Sequence, residues 1–545
     1  MTVKHKALIL TDNAGKARAL KRLLGRHYIV ESTDGFLRDL PKTQSGIDPE
    51  NNFALKVITV RGKADLLKKL RRDTLEALRI YVATEPGADG EALAFHYCEL
   101  FGINPESNCR VELRSFTKES LKHAIEHARA IDNRLVEKYW TRRSIGRLIS
   151  YSITPYIWCS LYRGLSLNQM QLMLLRLIAN FKPSAPVQFS DAPVNLRTLQ
   201  LWAALEKFSA GRAVLIARQL YEGIALDKDF SGLINYFRED PLKPIDTQLS
   251  PEVIKPFLPA SRLKIYEAIW SQRLTFPKVD EQLLNQPTDL SLMLELDRLK
   301  INWTGLYSSA INILVRNRYA DRVDGVYSLT ELGTQLLSTV DKFFSKVLDA
   351  KLFIEIEHEL EAIEEGRSTR QEVLTKIYEP IRAAMSKAMQ SLGDNPMPKE
   401  PPIIESDQIC DKCGRRMIVK RGRYGMFFAC PGYPDCRNTI PYFEYLKETC
   451  PKCGGRLMSK TINLHRTFYC CEHYPQCSFG TWDEPQESHC QTCGAVMLLH
   501  RFRGRQSMLY CSNEECKSRI DHPINKILER VRKLAEERQK RRQEQ

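Results

Sequence analysis

The sequence predicts a multidomain chain with a parallel α/β domain first, a mainly helical middle, and three small cysteine-bearing units at the end. Three observations predict it. An apolar strand, a polar loop and a helix follow one another twice within the first hundred residues. From about residue 117 to 380 apolar positions recur at helical spacing. Thirteen of the sixteen cysteines lie between Cys410 and Cys516, mostly as CxxC pairs.

The first domain, residues 1–115, opens with "KALILTDN", a buried strand ending in a polar loop, and "AGKARALKRLLG", a helix with a glycine stop. "RIYVATEPGADGEALAFHYCELFG" repeats the plan. Such alternation implies a parallel sheet, and ligands of parallel sheets bind at the carboxyl ends of the strands. Glu85, Asp89 and Glu91 fall at that end.

Residues 116–393 are read as mainly helical, as in "KESLKHAIEHARAIDNRLVEKYW". The stretch 394–408, "DNPMPKEPPIIESDQ", has four prolines and reads as a linker. Residues 522–545 read as a charged, solvated helix or frayed tail, with nucleic-acid contact as the alternative.

The 545 residues suffice for several cores, and 43% hydrophobic content excludes a disordered chain. A formal net charge of +15 favours a polyanionic partner, because Lys and Arg release counterions from phosphates. The start lacks a signal-peptide pattern, and no stretch approaches the roughly 20 apolar residues of a membrane helix. The expectation is a soluble, cytoplasmic, monomeric protein. In a reducing compartment clustered cysteines read as metal ligands rather than disulfides.

Three cysteine units recur at a period of roughly 40 residues. They are Cys410, Cys413, Cys430 and Cys436 (409–445); Cys450, Cys453, Cys471 and Cys477 (446–486); and Cys490, Cys493, Cys511 and Cys516 (487–521). Four thiolates make a closed tetrahedral zinc site, and a unit this small depends on its metal to fold. Matching "YCCEHYPQC" to "FACPGYPDC" selects Cys471 over Cys470. Basic and aromatic residues between the knuckles, Arg421, Arg423, Tyr424 and Phe427, suit phosphate contact and base stacking on single-stranded DNA. Padding of a tiny core is the alternative for the aromatics.

Taken in order, the segments resemble a type IA DNA topoisomerase followed by topoisomerase-type zinc ribbons. "LILTDNAGKARALKRLLG" resembles that family's opening strand and lysine loop, and "GFLRDLP" its GHxRDLP segment. "VATEPGADGEALAFH" resembles the acidic toprim motif TDPDREGEAIAWH. "TRRSIGRLISYSITPYIW" and "GLSLNQMQLMLLRLI" resemble two DNA-cleft motifs. "ARQLYEGI" leads into "GLINYFREDP", which resembles the nucleophile motif GLITYMRTDS.

The resemblance implies a toprim-like domain, a helical toroid-like core and a candidate nucleophile, Tyr236. It implies ATP-independent cleavage of one strand, strand passage and religation through a 5′-phosphotyrosyl link. Arg238 would steady the phosphate charge, and Lys16 would donate toward the leaving oxygen. Glu85 would join the catalytic set. Mg²⁺ would sit on Glu85 and Asp89, with Glu91 in the outer shell. Arg38, Arg142, Arg143, Arg147 and Gln171 would line the DNA path.

Departures concentrate where that chemistry lies. Of the toprim positions DxDxE this chain has Glu85, Gly87 and Asp89, so the middle acid is absent. The first-loop glutamate falls near Thr11, with Asp12 beside it. Phe36, Gly146, Gln169 and Pro251 replace histidine, aspartate, arginine and histidine. Residues from about 180 to 260 look shorter than the family's strand-passage arch. Two readings compete, an active, divergent topoisomerase or a single-stranded DNA-binding descendant whose cleavage chemistry has decayed; other toprim chemistry, such as nicking or primer synthesis, and an RNA-directed helper are the further alternatives.

Overall fold

The computed structural model describes residues 7–183, 192–206, 208–226, 229–276, 281–422, 425–461, 467–500 and 508–520. Arg423, Tyr424 and the charged tail 522–545 lie outside the described residues. The chain divides into two compact units, Met1–Glu400 and Pro401–Gln545.

The first unit opens with β1 (Ala7–Thr11), α1 (Ala14–Leu24) and β2 (Tyr28–Ser32). Then come α2 (Ala64–Leu75), β3 (Ile80–Thr84), α3 (Ala88–Phe101), β4 (Arg110–Glu112) and α4 (Lys118–Glu126). The strands form one all-parallel sheet in the order β2-β1-β3-β4. Its registers pair Leu8 with Ile80 and Val82 with Arg110. Both faces are covered, so the strands read as unbroken apolar runs. Alternation along a strand sends Leu8, Leu10 and Val82 to a core shared with Leu67, Leu70, Ala94 and Tyr97. It sends Ile9, Val30, Tyr81 and Val111 to the other face. That second core continues without a break into Leu220, Tyr221, Leu233, Tyr236 and Phe237. The burial of each such apolar side chain stabilises by roughly 1.5–3 kcal/mol. The segment bearing Tyr236 is thereby fastened to the back of the sheet.

The middle is helical, as expected. Asp132 caps α5 (Asn133–Ser160), and an Asn168–Gln171 capping box starts α6 (Gln169–Ala179). These pack with helices Glu331–Phe344, Ala350–Glu364 and Arg370–Gln390 around a separate core. Between them α7 (Leu196–Leu205) and α8 (Ala210–Glu222) lead into a hairpin, β5 (Ile224–Leu226) and β6 (Asp229–Ser231). No described helix is long and apolar enough to cross a membrane.

The second unit is β-rich. Its three sheets are built on Ile404–Ile409, Arg416–Gly422, Gly425–Ala429 and Thr439–Pro441; on Phe443–Thr449, Arg456–Thr461, Thr467–Cys471 and Gly480–Thr481; and on Glu484–His489, Val496–His500 and Met508–Cys511. The first strand starts at Ile404, inside the stretch read as linker. The prolines end at Pro402, and the residues after them are free to pair along the edge of the first cysteine hairpin.

Candidate active site

The carboxyl ends of β1 and β3 place Asp12 and Glu85 side by side. Asn13 caps α1 by accepting the Lys16 amide at 2.8 Å, which turns the first helical turn back over the sheet edge. Lys16 Nζ then lies 3.0 and 2.9 Å from the two Asp12 oxygens and 2.6 Å from Glu85 Oε1. Lys16 is only 1% exposed. A buried ammonium is tolerated here because two carboxylates surround it.

The second oxygen of Glu85 faces Tyr236. The Tyr236 hydroxyl donates to Glu85 Oε2 at 3.2 Å. The loop that carries it is tied by backbone bonds from Gly232 to Phe116 and from Leu233 to Leu220. The Asn235 side chain closes it by donating to Pro241 O and accepting from the Lys243 amide. Tyr221 and Phe237 pack edge-on to the Tyr236 ring at 5.4 and 5.1 Å. Burial first, then the Glu85 charge, push the Tyr236 phenol well above its ordinary pKa, while Arg238 pulls it down. Arg238 Nη1 is 3.4 Å from Asp89 Oδ2, and both side chains reach solvent.

Lys16, Glu85, Asp89, Tyr236 and Arg238 therefore meet at one place. Two further acids belong to the same field. Asp12 grips Lys16 directly. Glu222, at the end of α8, has its pKa raised by burial, with Glu85 and Asp12 adding to the rise and Lys16 opposing it. Sequence reading passed over Glu222, although it sits in the quoted "ARQLYEGI".

Other expected residues lie elsewhere. Glu91 is fully buried and held at both oxygens, by Arg129 at 2.8 and 2.9 Å and by Arg110 Nε at 3.0 Å. The Asp132 amide donates to it as well. Burial alone would raise its pKa; these partners more than reverse that and hold it below the ordinary value. Its oxygens are committed, so Glu91 is no outer-shell metal ligand. It is two residues beyond Asp89 in the first turn of α3, and two residues of helix turn a side chain to the opposite face.

Gln171 is 5% exposed, and its side chain accepts the Asn168 amide as half of the capping box. It is a helix cap rather than a DNA contact. Arg147 spends its guanidinium on the carbonyls of Pro41, Gln44 and Ser45, shaping the loop after "RDLP". Arg143 is partly committed to Asp39 and Tyr139. Arg38 donates to Val57 O at 3.3 Å, and Arg142 is exposed on α5. Phe36 stacks on Tyr139 at 5.7 Å, so an aromatic contact stands where the resemblance expects an imidazole. His96 Nε2 instead accepts the amides of Leu37 and Arg38.

The missing middle acid has a backbone counterpart. Gly87 has φ 85° and ψ −179°, a conformation essentially confined to glycine. The turn then lets α3 approach β3 closely, since a Cβ on Gly90 would lie 1.8 Å from Glu85 O.

The acidic donors that remain at the strand ends are Asp12, Glu85 and Asp89. Hard oxygens of this kind suit Mg²⁺, which takes one or two carboxylates and completes its octahedron with water and phosphate. Among the described residues no three carboxylates converge as a ready-made cage. The zinc sites are complete. In each ribbon four Sγ atoms lie within 4.8 Å of one another. The closest pairs are Cys413–Cys430 at 3.3 Å, Cys453–Cys471 at 3.3 Å and Cys493–Cys511 at 3.4 Å. Tetrahedral Zn–S bonds of about 2.3 Å demand sulfurs roughly 3.8 Å apart, so the sets fit zinc. Cys471 is the ligand, and Cys470 pairs across the sheet with Met458. The side chain of Arg421 lies outside the described set, but Tyr433, Tyr474 and Trp482 are exposed on the first two ribbons.

Comparison with known proteins agrees with this anatomy. A family model described as the toprim domain matches residues 7–116. One described as the topoisomerase DNA binding C4 zinc finger matches 407–443 and 447–486. The solved structure of full-length topoisomerase I from Thermotoga maritima superposes with a TM-score of 0.61 at 20% identity. That match covers 79% of this chain and 97% of the other. In domain content and fold the chain is type IA topoisomerase-like: a toprim domain, a helical core and three zinc ribbons, two of them matched by the family model.

Proposed function

We propose that this chain is an ATP-independent type IA DNA topoisomerase that cleaves one strand through Tyr236. The observation that carries the reading is the Tyr236–Glu85–Lys16 line, in which one carboxylate accepts the phenol at 3.2 Å and the ammonium at 2.6 Å.

The phenol is a poor nucleophile at rest, because burial and Glu85 keep it protonated. A DNA phosphate entering beside Arg238 exchanges Asp89 for a stronger anionic partner. Tyr236 Oη bonds to phosphorus, its proton passes to Glu85 Oε2, and the 3′-oxygen leaves. Lys16 donates to that oxygen and draws charge off the phosphoryl group. Religation runs the same steps backward, so the phosphodiester energy is kept. Bound Mg²⁺, held by Glu85 and Asp89, would neutralise phosphate charge. The exposed ribbon aromatics Tyr433, Tyr474 and Trp482 supply stacking platforms for single-stranded bases.

The test is relaxation of negatively supercoiled plasmid with Mg²⁺ and no ATP. Wild type relaxes it and leaves a covalent DNA adduct after denaturation; Tyr236→Phe does neither. The second reading, a strand-binding protein without cleavage, is favoured by the glycine-only turn at Gly87. It wins if wild type and Tyr236→Phe bind single strands equally and neither forms an adduct.

A further inference from the structure

Over the apolar core that the two share, three polar side-chain contacts among the described residues join the toprim domain to the Tyr236 loop: Tyr236–Glu85, Arg238–Asp89 and Glu239–Arg114. On the proposed mechanism the first two are given up to phosphate when DNA binds. The third uses no group that the chemistry needs. We propose that the Arg114–Glu239 ion pair is the latch of the strand-passage gate, a proposal that rests on the topoisomerase reading. It adds to the hold that the shared apolar core has on the cleaved loop, and its release shifts the gate toward opening.

The geometry supports a latch rather than an incidental surface pair. Glu239 Oε1 accepts from Arg114 Nη1 at 2.8 Å, while Oε2 accepts from Asn235 Nδ2 at 2.9 Å. The Glu239 amide donates to Tyr236 O at 2.8 Å. Glu239 is thus built into the nucleophile loop on either side of the tyrosine. Arg114 is equally fixed on the other domain. Its Nε and Nη2 reach Glu112 Oε2 at 3.0 and 2.7 Å, and Glu112 Oε1 takes Arg129 at 2.5 Å. Arg129 holds Glu91, Glu91 holds Arg110, and Arg110 Nη2 donates to Glu85 O at 2.7 Å. A chain of alternating charges therefore leads from the backbone beside the catalytic carboxylate to the latch. An isolated exposed pair loses much of its attraction to side-chain entropy; here the arginine is already ordered by the network. The contact stays solvent-accessible, with Arg114 60% and Glu239 28% exposed, so the pair itself breaks ahead of the shared core.

The pair lies outside the reacting atoms, so cleavage and opening should separate. The full chain is compared as wild type, Arg114→Gln, Glu239→Gln and the double variant. Cleavage of a short single-stranded oligonucleotide, which needs no open gate, stays within about twofold of wild type, well under the 10²–10⁴-fold cost of losing a group that transfers the proton. Dyes placed at Lys68 and Lys255 report opening by single-molecule energy transfer. Each single variant raises the open fraction roughly two- to fivefold, as for an ion pair of this exposure. The double variant rises no further, and added KCl opens wild type more than any variant. Additive effects in the double variant, an unchanged open fraction, or loss of oligonucleotide cleavage in step with opening would overturn the latch. Absence of cleavage in wild type would instead sink the enzymatic reading, while the dye measurement still reports on the pair.

Discussion

Tyr236 and Glu85, 151 residues apart, share a hydrogen bond of 3.2 Å, and the same carboxylate holds Lys16 through its other oxygen. One side chain thus faces a proton donor it can relieve and a cation it must keep.

Glu85→Gln should leave the fold intact and cut cleavage. The amide cannot take the phenolic proton, and Lys16 keeps only Asp12 as a charged partner. Single-turnover cleavage of a labelled oligonucleotide should fall by about 10²–10⁴-fold, the usual weight of a positioned base. Glu85→Asp should recover part of it. Unchanged cleavage in Glu85→Gln would assign the proton elsewhere.

Restoring the absent acid should not help. Gly87→Asp puts a side chain on a backbone that only glycine adopts freely. It should destabilise by roughly 1–3 kcal/mol. Thermal unfolding should shift down, with no gain in Mg²⁺-dependent relaxation. A stabilised variant with faster relaxation would show that the turn accepts an acid after all.

Stability should fall on mild acidification through His96. Burial first, then Arg38, depress its pKa from 6.5 to about 4, while Asp39 opposes. Between those values the unfolded chain binds more protons than the folded one, so stability rises with pH across that window. Lowering the pH from 6.5 toward 4 should lower Tm more in wild type than in His96→Leu. The variant starts lower, because the Leu37 and Arg38 amides lose their acceptor. Parallel Tm–pH curves would rule this out.

Elemental analysis should find about three zinc ions per chain. Cys471→Ser should lose one, and Cys470→Ala none. Chelation should make Pro401–Gln545 protease-sensitive while Met1–Glu400 stays resistant, since structural zinc supplies the folding energy of such small units. Three zincs in Cys471→Ser would reassign the second ribbon.

The features legible in the sequence are those fixed by short-range geometry. CxxC pairs at set spacing imply their own tetrahedra, and even the choice of Cys471 over Cys470 follows from comparing repeats. Strand, loop and helix alternate visibly in "KALILTDNAGKARALKRLLG", so the acid-bearing sheet edge is legible there. Linker bounds were less clear, because prolines mark where a strand cannot run but not where the next begins.

The sequence by itself determined the zinc tetrahedra, the parallel sheet and the order of the motifs, because each is written in neighbours along the chain. Only the tertiary structure decided which charges serve the site. Glu91 went to buried Arg110 and half-buried Arg129, Gln171 to a helix cap and Arg147 to loop carbonyls, while Asp12 and Glu222 joined the field of Lys16. The reason is that a charged group's role depends on which partners fold against it from far along the chain, and on how much water they leave.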